Sequence, residues 1–368
     1  MTRRTTNDRA PRRRAGVLAV ASLVAVLLAA TACASTPTAA PGTTTDPPGT
    51  APAGRPATAT TVASPRGPSP GCRQPGADPV LGSATDEVVA TSGRDRRTYR
   101  YVPASYDGTA PVPLVIDLHG FAEGAALQET FAGLQASADQ HGFVLLTPQG
   151  TGPVPYWNAG PTPDGPDDLA FVSDLIDQTG GQLCLDLSRV YVTGLSNGAF
   201  MASLVACRLA DRVAAIAPVA GLTSPEDCRP SRPVPIIAFH GTADPLVHYG
   251  DGDFSSAEAT LPLDDETRRN FAAVRFQATP DALAQWAERE GCSSGPTEEV
   301  VTASVARIRY DGCRDGSVVE LYRVDGGGHT WPGSEGMAAV TAALGPTTTE
   351  IEANDLMWEF FAQHRLPA

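Results

Sequence analysis

Residues 192–207, VTGLSNGAFMASLVAC, crowd Gly194, Ser196 and Gly198 into one turn. A serine set this way can serve as a nucleophile. A sharp strand-to-helix turn lifts its hydroxyl clear, small neighbours permit the bend, and the helix N-terminus behind it favours developing negative charge. With 36 glycines in 368 residues the pentad alone decides little. Its flanks decide more: an apolar strand-like run precedes it and a helical run follows.

A serine hydroxyl is a weak nucleophile and needs a base, itself oriented by a carboxylate. After such a turn the acid and then the base follow along the chain. Six histidines compete. His119 and His240 end strands and precede the expected acid. His141 and His364 fall in helical runs. His248 sits too close behind the acid to come from a separate loop. His329, in GGGHTWPG, remains, and the glycines before it free the backbone to aim the ring. For the acid, Asp244 in FHGTADPLVHY is the choice, just beyond a strand. Asp251, Asp253, Asp264 and Asp265 stay as rivals. The oxyanion needs two amides: Asn197, next to the nucleophile, and Phe121, after the DLHG run. His119 is expected to order that second loop. Trp157 and Trp331, with Phe121, are candidates to line an apolar or aromatic cleft.

These residues need a frame. Short apolar runs at 112–120, 143–150, 189–194, 213–221 and 234–241 read as buried parallel strands. Helical spacing over 127–142, 167–181, 197–210 and 279–292 falls between and after them, the last with a Thr cap and Pro at its first position. A hairpin is expected at 87–106, a strand pair near 307–329 and a closing helix near 349–366. The alternation predicts an α/β fold with a mostly parallel central sheet and helices on both faces. The acidic stretch 249–278 reads as an irregular insertion over one face.

The composition is that of a globular chain, 42% apolar and 18% charged. A net charge of −14 with pI near 4.8 argues against a nucleic-acid partner, because no basic patch could neutralise phosphates. Residues 1–32 carry a basic start and an apolar run, the pattern of an export signal. Ala30, Thr31 and Ala32 before Cys33 resemble a bacterial lipobox, so Cys33 is the expected lipid-attachment point. Residues 33–71 are rich in Pro, Thr and Ala and read as a disordered tether. Residues 72–368 then form the catalytic domain. Six further cysteines in an exported chain imply disulfides. Cys207–Cys228 and Cys292–Cys313 are near in sequence, which leaves Cys72–Cys184. No C-x-x-C pair suggests a metal site.

Together, LVIDLHGF, YWNAG, DDLAFV, YVTGLSNGAFM, AIAPVAG, FHGTADPLVHY and GGGHTWPG resemble the secreted polyhydroxybutyrate depolymerase and feruloyl esterase group of α/β-hydrolases. The resemblance spans roughly residues 85–365 with the motifs in order. It implies the α/β-hydrolase fold, a Ser196–His329–Asp244 triad, an acyl-enzyme and no cofactor or metal. The expected protein is an exported serine esterase, either a cell-surface lipoprotein or secreted. It would act as a monomer on hydroxyalkanoate polyesters or on feruloyl or acetyl polysaccharides. Many members carry a paired-cysteine stretch after the W-N-x-G segment; here that segment has no cysteine. Two alternatives are a serine peptidase on the same fold, against which the G-L-S-N-G-A elbow speaks, and a non-catalytic binding lipoprotein, which would have lost a triad member.

Overall fold

In the computed structural model, residues 66–72, 79–254 and 263–367 are described, all within the unit Pro65–Ala368. The signal segment, Cys33 and the tether up to residue 65 lie outside the described residues. The hairpin β1 (Ala84–Thr91) and β2 (Arg94–Tyr101) turns at Ser92 and Gly93, both with positive φ. The apolar runs become β3 (Val112–Leu118), β4 (Val144–Pro148), β5 (Leu185–Leu195), β6 (Ala215–Val219) and β7 (Ile236–Gly241). Every residue of β4, β6 and β7 is buried, as strands covered on both faces require. β8 (Ser294–Val300), β9 (Val305–Asp311) and β10 (Val319–Val324) complete one sheet in the order β1-β2-β4-β3-β5-β6-β7-β10-β9-β8. From β4 to β10 in that order neighbouring strands run parallel. β8 is exposed along its length and held by its pairing with β9. Its sequence, SGPTEEV, shows neither alternation nor an apolar run, so the pattern did not reveal it.

Where one helix is expected over 127–142 there are two, α1 (Ala125–Ala132) and α2 (Leu134–His141). Gly133 parts them with φ 62°, donating its N–H to Glu129 O at 3.1 Å. This left-handed stop is a glycine role. α3 (Asp168–Gln182) is capped by Asp167, whose carboxylate accepts from Ala170 N. α4 (Asn197–Arg208) is buried from Asn197 through Cys207, which explains its lack of a polar face. The stretch expected to be irregular holds α5 (Asp265–Ala273), capped by Asp264 through Thr267 N at 2.8 Å. Thr279, expected as a cap, is instead the first residue of α6 (Thr279–Glu290), with Ala278 in the cap position. α7 (Thr341–Leu344) and α8 (Ala353–Ala362) follow.

Disulfides join Cys72 to Cys184, Cys207 to Cys228 and Cys292 to Cys313. The first anchors a segment that the sequence reading assigned to the tether. Ser69 donates its hydroxyl to Leu183 O at 2.6 Å and accepts from Leu185 N at 2.9 Å. Leu187 N donates to Gly67 O at 2.8 Å. The body therefore includes residues 66–71, and the boundary at 71 moves toward the N-terminus.

A carboxyl interrupts the apolar run of β3. Asp117 of β3 is buried, with Oδ1 accepting from Gln128 Nε2 at 2.7 Å. Burial pushes its pKa up to about 8; the Gln128 bond opposes this and Glu129 adds to it. A carboxyl whose pKa rises on folding holds its proton more tightly in the folded state. Its contribution to stability is therefore full below the unfolded pKa and is lost as pH rises through the folded one. Asp117→Asn cannot ionise, so it is expected to gain on the wild type by about 5–10 °C in Tm as pH rises from ~5 to ~8. Thermal unfolding at several pH values checks this. A difference in Tm that stays flat with pH would overturn it.

Candidate active site

The parallel strands deliver the candidate residues to one edge of the sheet. Phe121 follows β3, Ser196 follows β5, Asp244 follows β7 and His329 follows β10. These loops all leave the carboxyl ends of parallel strands, where sites on open α/β sheets form.

Ser196 has φ 56° and ψ −117°, a region that side-chain-bearing residues seldom occupy. Its N–H donates to Val219 O at 2.9 Å and its carbonyl accepts from Phe200 N at 3.0 Å, so the turn passes directly into α4. The glycines have a steric cause. A Cβ on Gly194 would lie 2.5 Å from Leu118 O, and one on Gly198 would lie 2.0 Å from it. The end of β3 passes too close for any side chain.

His329 and Asp244 meet because β7 and β10 are neighbours. The His329 ring places Nδ1 2.8 Å from Asp244 Oδ2, with both side chains buried. The His329 N–H donates to Leu344 O at 2.6 Å, which fixes the loop. Asp244 Oδ1 accepts from Leu246 N at 2.8 Å and Val247 N at 2.9 Å. Burial raises the pKa of this carboxyl, but His329 and His240 outweigh burial and hold it well below the usual carboxylate range. An ionised Asp244 requires the proton on His329 Nδ1 and leaves Nε2 as the basic nitrogen. The rival carboxylates are occupied elsewhere. Asp264 caps α5, Asp265 lies in its first turn, and Asp251 faces His248 at 3.4 Å on the surface and accepts from Asp253 N.

The loop after β3 runs beside the nucleophile. A Cβ on Gly120 would lie 3.6 Å from Ser196 Cβ. His119 is fully buried, its Nε2 accepting from Gly150 N at 2.8 Å and its Nδ1 donating to Gly120 O at 2.7 Å. Burial pushes its pKa down to about 4, so the ring is neutral and holds the loop in place. Gly120 N donates to Glu123 Oε2 at 2.6 Å; burial pushes that carboxyl up to about 8. Sequence reasoning missed Glu123, which lies in an ordinary-looking turn.

Trp157 and Trp331 need correction as cleft candidates, because neither indole has accessible surface. Trp331 Nε1 donates to Asn354 Oδ1 at 2.9 Å. Trp157 Nε1 donates to His119 O at 2.9 Å. The Asn197 side chain grips the Trp157 backbone from both sides, accepting from its N–H at 2.7 Å and donating to its carbonyl at 3.2 Å. Trp157 is thus a strut between the elbow and the loop after β3. Phe121 is half-buried and sets its ring edge-on to Phe271 of α5, with centroids 5.2 Å apart. Among the described residues, no three His, Cys, Asp or Glu side chains converge as metal ligands would.

Residues 98–252 match the family model described as esterase PHB depolymerase. The chain is 30% identical over 234 residues to feruloyl esterase B of Piromyces equi, which covers 62% of this chain and 41% of that protein. It therefore spans less than half the length of that relative. It is 30% identical over 355 residues to NocK of Nocardia uniformis subsp. tsuyamanensis, a protein assigned by name as an esterase. That match covers 92% of this chain and 96% of NocK. The acetyl xylan esterase from Aspergillus awamori shares the fold, with TM-score 0.51 at 16% identity over 76% of this chain and 99% of that one.

Proposed function

The chain belongs to the esterase family of the polyhydroxybutyrate depolymerases, and on that premise we propose that it hydrolyses carboxylic esters through Ser196, His329 and Asp244. His329 Nε2 takes the Ser196 hydroxyl proton as Oγ attacks the ester carbonyl carbon. The carbonyl electron pair moves onto oxygen, where the Asn197 and Phe121 amides receive it. Collapse expels the alcohol, protonated by His329, and leaves an acyl-enzyme. Water, deprotonated by the same nitrogen, releases the acid and restores Ser196. Asp244 keeps the Nδ1 proton in place throughout and takes none itself.

The observation that carries this reading is the 2.8 Å His329–Asp244 contact on the sheet edge where Ser196 holds its positive-φ turn. The family and relatives named for ferulate and acetylxylan support three substrate classes: hydroxyalkanoate, feruloyl and acetyl esters. The three disulfides support an oxidising, extracellular setting. Cys33, outside the described residues, is read as the lipid-attachment point of the exported protein.

A fluorophosphonate probe tests the reaction class, and a panel of polyhydroxybutyrate, methyl ferulate and acetylated xylan tests the substrate. Labelling is expected on the peptide that contains Ser196, with turnover of at least one ester. A folded protein that takes no probe would overturn the proposal.

A further inference from the structure

His240 is one of the five histidines that sequence reasoning set aside as the base, and the structure puts it against the same carboxylate as His329. It lies near the end of β7, four residues before Asp244, and its ring is buried. Nε2 is 2.9 Å from Val247 O and 3.3 Å from Asp244 Oδ2. Nδ1 is 3.1 Å from Thr279 Oγ1, on the first turn of α6.

Hydrogen-bond chemistry assigns the tautomer. A carbonyl oxygen only accepts, so the nitrogen facing Val247 O carries the proton. Nδ1 is then bare and accepts the Thr279 hydroxyl proton. The Nε2–H therefore lies between Val247 O and Asp244 Oδ2. Asp244 is held from two directions: Oδ1 by the Leu246 and Val247 amides, and Oδ2 by His329 and, more weakly, by His240. The backbone bonds fix one oxygen. The lateral position of the other, which His329 depends on, rests on a donor that does not itself take part in proton transfer.

Resting on the triad reading above, we infer that His240 is a positioning residue that holds the Asp244 carboxylate for His329, in the tautomer that the Val247 carbonyl sets and that Thr279 supports by donating to the bare Nδ1. Two effects follow from its loss. Oδ2 is then held by His329 alone, so the carboxylate no longer resists the movement of the base. The carboxylate also loses a donor that shared its charge, so more of that charge acts on the Nδ1–H of His329. The other charged or titratable groups nearby are Tyr249, edge-on to His240 at 5.8 Å, and Arg323 of β10, the register partner of His240. Arg323 is itself ion-paired with Glu298 and Asp325. All of these are unchanged in the variants below.

The test is steady-state kinetics on a soluble p-nitrophenyl ester across pH, with His240→Phe, His240→Gln, Thr279→Val and Thr279→Ser. His240→Phe keeps the ring volume without the donor and is expected to lower kcat ~10–100-fold. KM is expected to stay within about twofold, since no substrate contact is lost. The acid limb of kcat/KM is expected to move to higher pH. His240→Gln, whose amide nitrogen reaches the same place as Nε2, restores most of the rate. Thr279→Val shifts kcat and the acid limb in the same direction by less, and Thr279→Ser restores them. If His240→Phe does not fold, Thr279→Val carries the test. A folded His240→Phe or Thr279→Val with wild-type kcat and acid limb would sink the inference. Asp244→Asn, measured alongside, separates the two failures. If it is crippled while the His240 variants are normal, only this inference falls; if it is itself normal, the triad reading falls.

Discussion

Ser196→Ala is expected to abolish ester turnover while leaving the protein folded. The fold should not register the loss, because the Ser196 side chain makes no capping bond to α4. The features that hold the elbow are backbone ones: the Ser196 N–H on Val219 O, and two glycines beneath the end of β3. Alanine at φ 56° meets the same backbone strain as serine, so the melting temperature stays close to that of the wild type. Chemistry loses its attacking atom. What survives is the oxyanion site and binding, which elsewhere leave ~10³–10⁴-fold over water. Rates on a p-nitrophenyl ester, with a melting curve of the same sample, check both halves. A near-normal rate would refute the assignment of the nucleophile.

Asp244→Asn is expected to cost on the order of 10⁴ in kcat. Oδ1 must remain an acceptor for the Leu246 and Val247 amides, so an asparagine turns its NH₂ toward His329. A donor then faces Nδ1–H. The imidazole escapes by moving its proton to Nε2, and the nitrogen that should take the serine proton is no longer basic. Asp264→Asn and Asp251→Asn serve as controls. Asparagine caps a helix about as well as aspartate, and Asp251 is a surface residue paired with His248, so both should keep kcat within about twofold. If either control is the damaging change, the acid has been misplaced.

The parallel strands were legible because burial on both faces demands uninterrupted apolar runs, and the elbow because Gly194 and Gly198 sit where no side chain fits. Asp244 could be singled out because it follows one of those strands, and His329 because the other histidines fell in helical runs or before or close behind the acid. Other features carry no one-dimensional signal. β8 is stabilised by pairing with β9, which its exposed residues do not announce. α5 lies in a polar stretch whose buried residues are few, Thr267, Asn270 and Phe271. Trp157 looks like any loop aromatic until its backbone is seen in the grip of Asn197. His240 and Asp244 stand four apart at the end of a strand, the one hint that they share a turn, but the contact of Thr279 with His240 needs α6 folded back on β7.

The chain of contacts from Asn197 through Trp157 to His119 bears on how this scaffold tolerates change over generations. The elbow and the loop after β3 are bolted to one another by backbone and indole bonds with no solvent-facing member. Drift or a randomised library at Asn197, Trp157 or His119 would therefore yield mostly dead clones. The Phe121 ring instead meets Phe271 of α5 edge-on. Other residues of that helix brace the frame, because Glu266 accepts from the Tyr156 hydroxyl and Asn270 donates to Asn158, on either side of Trp157. Variation is therefore better tolerated at Phe271 than at the α5 positions that hold the neighbours of Trp157.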